Sequence, residues 1–197
     1  MHTEEEAEFQ AFTRTRWAHL VRTAYLLTGD WHHAEDLTQT ALAKAYRSWR
    51  RVSRADNPDA YVRRVLVTCN SDRFRKRRVA ERLTDAPPEV AVPGDAAARI
   101  DQRRTLMDAL ATLPTRQRAV VVLRYWDDRT EAEVAQAMGC SLGTVKSQAA
   151  KGLAKLRAHP GLAAAPAGPG TPRDDSVPGR TTPGLDALIT AAPGGRR

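Results

Sequence analysis

Residues 130–156, TEAEVAQAMGCSLGTVKSQAAKGLAKL, hold two helices and a tight turn in one short run. Thr130 and Glu133 stand in capping-box register, so a helix starts here with its first backbone donors satisfied. Ala135, Gly139 and Val145 follow at spacings of four and then six residues, as two helices crossing at a sharp turn require. The small residue lets the second helix approach, glycine takes a positive φ, and Val145 packs back on the first helix. Val134, Met138, Cys140 and Leu153 fill the remaining apolar positions, which makes Cys140 a small core residue. The predicted motif is a helix-turn-helix. Its second helix, capped by Ser141, turns Val145, Ala149, Leu153 and Leu156 inward. Thr144, Ser147, Gln148 and Lys151 then point outward, flanked by Lys146 and Lys155. Such side chains reach base edges and phosphates in a major groove.

Outward from this motif the chain keeps a helical period. Leu106, Leu110 and Leu113 mark a helix that stops at Pro114, and Thr115 is the expected cap of the next, which runs through Ala119–Leu123 to near Trp126. Nearer the N-terminus, Phe9, Phe12, Leu20, Ala24 and Leu27 recur at helical spacing until Thr28-Gly29-Asp30. Asp30 is the expected N-cap of a second run, Ala34, Leu37, Ala41, Leu42, Ala45, Tyr46 and Trp49. A third helix starts at Asn57-Pro58, with proline at the first helical position, and continues through Tyr61, Val62, Val65, Leu66 and Cys69 towards Phe74. Almost nothing alternates with period two. The predicted fold class is all-α: two small helical domains, residues 1–80 and 101–158, joined by a flexible linker over residues 81–100 that contains Pro87, Pro88 and Pro93-Gly94. Seven of the 12 prolines and seven of the 12 glycines fall after residue 158, so residues 159–197 read as a disordered tail. Within it, Leu185, Leu188 and Ile189 share a face that would allow one or two helical turns on a partner; the favoured alternative is that nothing binds there, since isolated helices this short are marginal.

The net charge is +8, and eight basic residues against Asp72 and Glu81 fall between Arg63 and Arg82. These are Arg63, Arg64, Arg73, Arg75, Lys76, Arg77, Arg78 and Arg82, a cluster that repels itself unless it meets phosphate. Tyr61, Phe74 and Trp49 offer rings on which unpaired bases could stack; the alternative is that these rings are core and the arginines merely solvated. The preceding helix exposes Glu35, Asp36, Gln39, Lys44 and Arg47, a mixed face better suited to a protein partner. Two cysteines, Cys69 and Cys140, cannot form a disulfide framework or a four-ligand zinc site. No HExxH, P-loop, carboxylate cluster or Ser/His/Asp set is visible, and His32-His33 has no evident metal partners. The expectation is therefore no enzyme, no metal and no cofactor. An acidic opening and the lack of a long apolar run predict a soluble, cytoplasmic chain with no membrane insertion.

Two segments together resemble a known family. AEDLTQTALAKAYRSW (34–49) followed by NPDAYVRRVLVTCNSDRFRKRR (57–78) resembles region 2 of bacterial RNA polymerase sigma factors. LPTRQRAVVVLRYWDDRTEAEVAQAMGCSLGTVKSQAAKGLAKLR (113–157) is similar to their region 4. With only these regions the chain resembles the extracytoplasmic-function (ECF) group and, within it, the SigE-like subgroup. The resemblance implies that Glu35, Asp36, Leu37 and Gln39 dock on the clamp helices of the polymerase β′ subunit, and that region 4 meets the β flap. It implies that Tyr61, Arg63, Arg64, Thr68, Arg73, Arg75, Lys76 and Arg77 meet the melted −10 element. Thr144, Lys146, Ser147, Gln148 and Lys151 would read the −35 duplex. An anti-sigma factor is the further implied partner. Thr40, Thr68 and Gln148 depart from the commoner Glu, Asn and Arg of the family. The competing reading is a conventional helix-turn-helix repressor or activator whose N-terminal part senses a ligand or dimerises; the basic third helix and its aromatic neighbours favour the sigma factor.

Overall fold

Gly29 at φ 82° and Gly139 at φ 60° mark two places where this chain turns sharply between helices. Residues 3–77 and 95–163 are described in a computed structural model, with side chains for residues 4–73 and 101–162. Nine helices occur among them: α1 (Thr3–Thr28), α2 (Trp31–Tyr46), α3 (Trp49–Val52), α4 (Pro58–Arg77), α5 (Asp95–Ala111), α6 (Thr115–Tyr125), α7 (Glu131–Met138), α8 (Leu142–Arg157) and α9 (Pro160–Ala163). No strand occurs among the described residues. The fold is all-α, as the periodicity predicts.

Local chemistry sets four of the helix starts. Asp30 Oδ1 accepts from His33 N at 2.7 Å and opens α2. Asn57 Oδ1 accepts from Ala60 N at 2.9 Å, with Pro58 at the first position of α4. In α7 both halves of the Thr130–Glu133 capping box are present. Ser141 caps α8 through the Thr144 amide at 3.2 Å. Each such bond satisfies an amide that the helix itself leaves free.

Four expectations need correction. Thr115 is not a cap; it is the first helical residue of α6, and Pro114 takes the N-cap position with no side-chain bond. Proline before the helix already fixes φ, so the chain enters α6 without one. The linker expected over 81–100 ends early, because α5 begins at Asp95. The Ala96–Ala98 run is a strong helix former and outweighs the nearby Pro-Gly signal. The tail expected from 159 begins as structure, since α9 spans Pro160–Ala163 and packs on α5; a Cβ built on Gly161 would lie 2.6 Å from Thr105 Cγ2. The remaining tail, with Leu185, Leu188 and Ile189, lies outside the described residues, as do residues 78–94. The fourth correction is α3, a four-residue turn not foreseen, which buries Trp49.

The apolar faces of the two sequence blocks merge. Leu26, Leu27, Val62 and Leu66 from the first belong to the same buried cluster as Leu110, Val120, Leu123, Val134 and Val145 from the second. Helix α1 packs on α6, and α4 packs on both α6 and α7. Within the second block, α8 approaches α6 through Gly152, where a built Cβ would fall 2.7 Å from Val121 Cγ2. Nothing larger than glycine fits without a shift. Gly152→Val is therefore expected to lower stability by about 1–3 kcal/mol through overpacking. Urea unfolding followed by helical circular dichroism would measure it, and an unchanged midpoint would show that the α6–α8 seam has room to give.

Candidate nucleic-acid interface

The reading head predicted from the sequence is built on α8. Gly139 takes the left-handed conformation, its amide reaching back to the Ala135 and Gln136 carbonyls, and the chain then turns into Ser141. Val145 and Ala149 are buried against the motif, which leaves Lys146, Ser147 and Lys151 exposed. Thr144 and Gln148 are half-buried. The Thr144 hydroxyl lies 2.9 Å from Ser141 Oγ, and Ser147 Oγ donates to the Thr144 carbonyl at 3.0 Å. Lys146 Nζ stands 3.7 Å from Glu131 Oε2, a solvent-exposed pair. Leu142, at the first position of α8, is 49 % exposed. The sequence reading passed over it, although the Ser141 cap already placed it at the leading end of the helix.

Helix α4 carries the second set. Arg64 and Thr68 are exposed, and Tyr61 and Arg73 half-buried. The Thr68 hydroxyl donates to the Arg64 carbonyl at 2.8 Å, and Arg73 Nη1 lies 3.5 Å from the His33 carbonyl. Arg75, Lys76 and Arg77 lie on the last turns of α4, with side chains outside the described residues, as is that of Phe74. Trp49 must be removed from the stacking set. It is buried, with Phe9 edge-on and Phe12 tilted against it, both at 5.0 Å between centroids. A ring enclosed in this way has no face left for a base.

On α2, Asp36 and Gln39 are exposed and Glu35 half-buried. Leu37 is buried in the core, so it supports this face from beneath. Trp31 extends the same surface at 37 % exposure, its indole N–H donating to Glu35 Oε1 at 3.2 Å. Tyr25 lies 5.4 Å from it between centroids, and the Arg103 guanidinium sits 5.0 Å over the Tyr25 ring.

Arg63 departs most from a solvated phosphate contact. Its side chain is almost fully buried, and Nε donates to Asp127 Oδ2. Asp127, at the end of α6, also bonds His19 Nε2 from α1 and faces Arg129 at 3.5 Å. Burial pushes the Asp127 carboxyl up, but the His19 hydrogen bond and the Arg63, His19 and Arg129 charges outweigh it and hold the group below the ordinary carboxylate value. Asp128 adopts φ 50°, and the chain turns there towards the capping box. Nearby, Arg118 Nη1 donates to the Leu27 carbonyl at 3.1 Å, one of the acceptors that the end of α1 leaves unsatisfied. Sequence reasoning missed this cluster; its only signal is the Asp127-Asp128 pair directly after an apolar helix.

A cleft of about 820 Å³ opens between the blocks, lined by Thr68 and Asp72 of α4, Pro114 and Arg116 at the start of α6, Met138 of α7 and Gln148 of α8. It brings Thr68 and Gln148, assigned above to different DNA elements, to the same space.

Residues 15–79 match the model of sigma-70 region 2, and residues 103–156 that of sigma-70 region 4. The RNA polymerase sigma-E factor of Streptomyces coelicolor is 41 % identical over 152 residues, covering 77 % of this chain and 85 % of that protein. The chain belongs to the sigma-70 family. Its ECF membership rests on relatives such as the ECF RNA polymerase sigma factor SigM of Mycobacterium tuberculosis, 30 % identical across 75 % of this chain and 74 % of that one. Among solved structures, RpoE of Bartonella quintana, in complex with the anti-sigma factor NepR, shares the fold at TM-score 0.62 and 22 % identity, covering 77 % of this chain and 95 % of that chain. CnrH, in complex with the cytosolic domain of CnrY, does so at TM-score 0.56 and 22 % identity, covering 78 % and 87 %. In this sigma factor, the second half of α1, α2, α3 and all of α4 fall within region 2, and α6, α7 and all but the last residue of α8 within region 4. The Asp127 cluster therefore joins the two regions.

Asp127 has a testable acid signature. Its folded value lies below the unfolded value near 3.9, so its contribution is full above about pH 5 and disappears as pH falls through the folded value. Asp127→Asn should be less stable than the parent at neutral pH, and the difference should shrink below about pH 4. Urea unfolding of both proteins across that range would check it; a difference independent of pH would contradict the assigned ionisation.

Proposed function

We propose that this protein is an ECF sigma factor that binds core RNA polymerase, reads −35 duplex through α8 and melted −10 DNA through α4, and directs initiation at a specific promoter set. One observation carries the reading: two region signatures, in order, on one chain that is 41 % identical to a sigma-E factor over most of its length. Region 2 is assigned to residues 1–80 and region 4 to residues 101–158, with the tail following. The protein supplies recognition, and the chemistry belongs to the polymerase. That places its work in the cytoplasm, and no helix among the described residues is long and apolar enough to cross a membrane.

The polymerase-facing surface is assigned to Glu35, Asp36 and Gln39 with Trp31 beside them, on the β′ clamp helices; region 4 is assigned to the β flap. An anti-sigma factor is the natural antagonist, a reading supported by RpoE of Bartonella quintana, which shares the fold and is solved in complex with the anti-sigma factor NepR. Geometry adds a constraint. Elements centred near −35 and −10 lie about 25 base pairs apart, or roughly 85 Å at 3.4 Å per pair. Thr68 and Gln148 line one cleft. The two regions must therefore separate before both elements are read together.

Run-off transcription with core polymerase, followed by mapping of start sites, tests the assignment: defined starts are expected, and no binding to core would overturn it. Glu35→Lys with Asp36→Lys should weaken core binding while leaving the helical signal intact; an unchanged affinity would remove that surface. Lys151→Ala should lower −35 duplex affinity and reduce the log–log salt slope by roughly one unit. A repressor of the competing class would instead bind duplex tightly as a dimer without polymerase.

A further inference from the structure

We propose that the Asp127 cluster is an internal latch that holds regions 2 and 4 closed, and that Arg63 is shared between two states: bound to Asp127 when the chain is closed and released to promoter DNA when it opens. The inference rests on the sigma reading above for the identity of the DNA. The latch itself rests on contacts within this chain.

The cluster is built from both regions. Asp127 comes from region 4, and its carboxylate is 1 % exposed. His19 and Arg63 come from region 2, on α1 and α4. Arg129 completes the cation set from region 4's own loop at 3.5 Å, and Asp59 holds the far side of the Arg63 guanidinium at 3.4 Å. His19 stacks on Trp126 at 6.4 Å with planes 10° apart, so the residue before Asp127 grips the same side chain. Arg118 adds a second tie to region 2 at the Leu27 carbonyl. Arg63 is buried at the seam between regions, where a charge is tolerated only if it is paired, and Asp127 and Asp59 pair it.

The closed form withholds DNA-binding groups. Arg63 lies in the α4 set assigned to melted DNA, yet among the described residues it is paired with the carboxylates of Asp59 and Asp127. Thr68 and Gln148 face one another's space across the cleft. A phosphate oxygen offers the Arg63 guanidinium the same charge-assisted hydrogen bonding that Asp127 does, so DNA and Asp127 compete for one cation. Opening therefore both separates the regions and delivers a phosphate contact. His19 is 41 % exposed and forms the outer edge of the latch, the side from which it loosens first.

The test uses the full chain without polymerase. Asp127→Asn is compared with Asp128→Asn, which removes the same charge at an exposed neighbour outside the cluster. Small-angle scattering should give a larger radius of gyration for Asp127→Asn only. Binding to a random-sequence single-stranded oligonucleotide should tighten for that variant, with its log–log salt slope steeper by roughly one unit than that of Asp128→Asn, since one more phosphate is neutralised. His19→Ala, a milder change, should move both readouts in the same direction by less, and it carries the test should Asp127→Asn lose its helical signal. Equal dimensions for the parent and the folded latch variants would overturn the latch. A larger radius with an unchanged salt slope would overturn the sharing of Arg63. Neither outcome touches the sigma assignment, which fails separately if the parent chain does not bind core polymerase.

Discussion

The seam between the two regions depends on Asp127. Its carboxylate lies between Arg63 and His19 of region 2 while Arg129 faces it from region 4. Removing one partner of such a buried pair costs about 3–5 kcal/mol, because the other charge is then stranded. Replacing the whole cluster by apolar residues could be neutral, so the arrangement is better understood as fixing which surfaces meet than as adding stability. Leu27, Val62, Leu66 and Val134 supply the non-directional attraction, and Asp127 with Arg118 selects the register in which they pack.

That register brings the two helices proposed to read DNA to one cleft. Helix α8 presents Lys146, Ser147 and Lys151 to solvent but turns Gln148 towards α4, and α4 presents Arg64 and Thr68 while sealing Arg63 beneath. Part of each surface is offered and part is hidden by the other region. The α2 face with Trp31, Asp36 and Gln39 remains exposed. In the closed chain the α2 surface proposed for polymerase is thus accessible while both surfaces proposed for nucleic acid are incomplete, an order suited to the proposed role of a factor that meets polymerase before promoter.

The sequence was legible wherever a few neighbouring residues determine the outcome. The caps at Asp30, Asn57, Thr130 and Ser141 act within three residues, and Gly139 takes its positive φ for a local reason, so helix limits and the helix-turn-helix could be read directly. Thr115 was misread because its hydroxyl sits one position too late, with Pro114 already holding the start of α6. The Ala96–Ala98 run was overlooked because the adjacent Pro-Gly pair drew the linker across it. Trp49 was ambiguous because helical spacing reports that a ring is periodic, without telling which other rings enclose it. Of the candidate site, the exposed lysines of α8 and acidic residues of α2 were readable. The Arg63–Asp127 pair was not, because its partners stand 64 residues apart and no local pattern joins them.

That separation has a consequence during synthesis. Arg63 is made 64 residues before Asp127. At about 5–20 residues per second, roughly 3 to 13 seconds pass in which Arg63 exists without that carboxylate. The chain is born open. Throughout that interval the nascent region 2 carries a dense basic helix beside the most abundant polyanion at hand, the ribosomal RNA, and its last buried cation finds its place only when region 4 arrives to cover it.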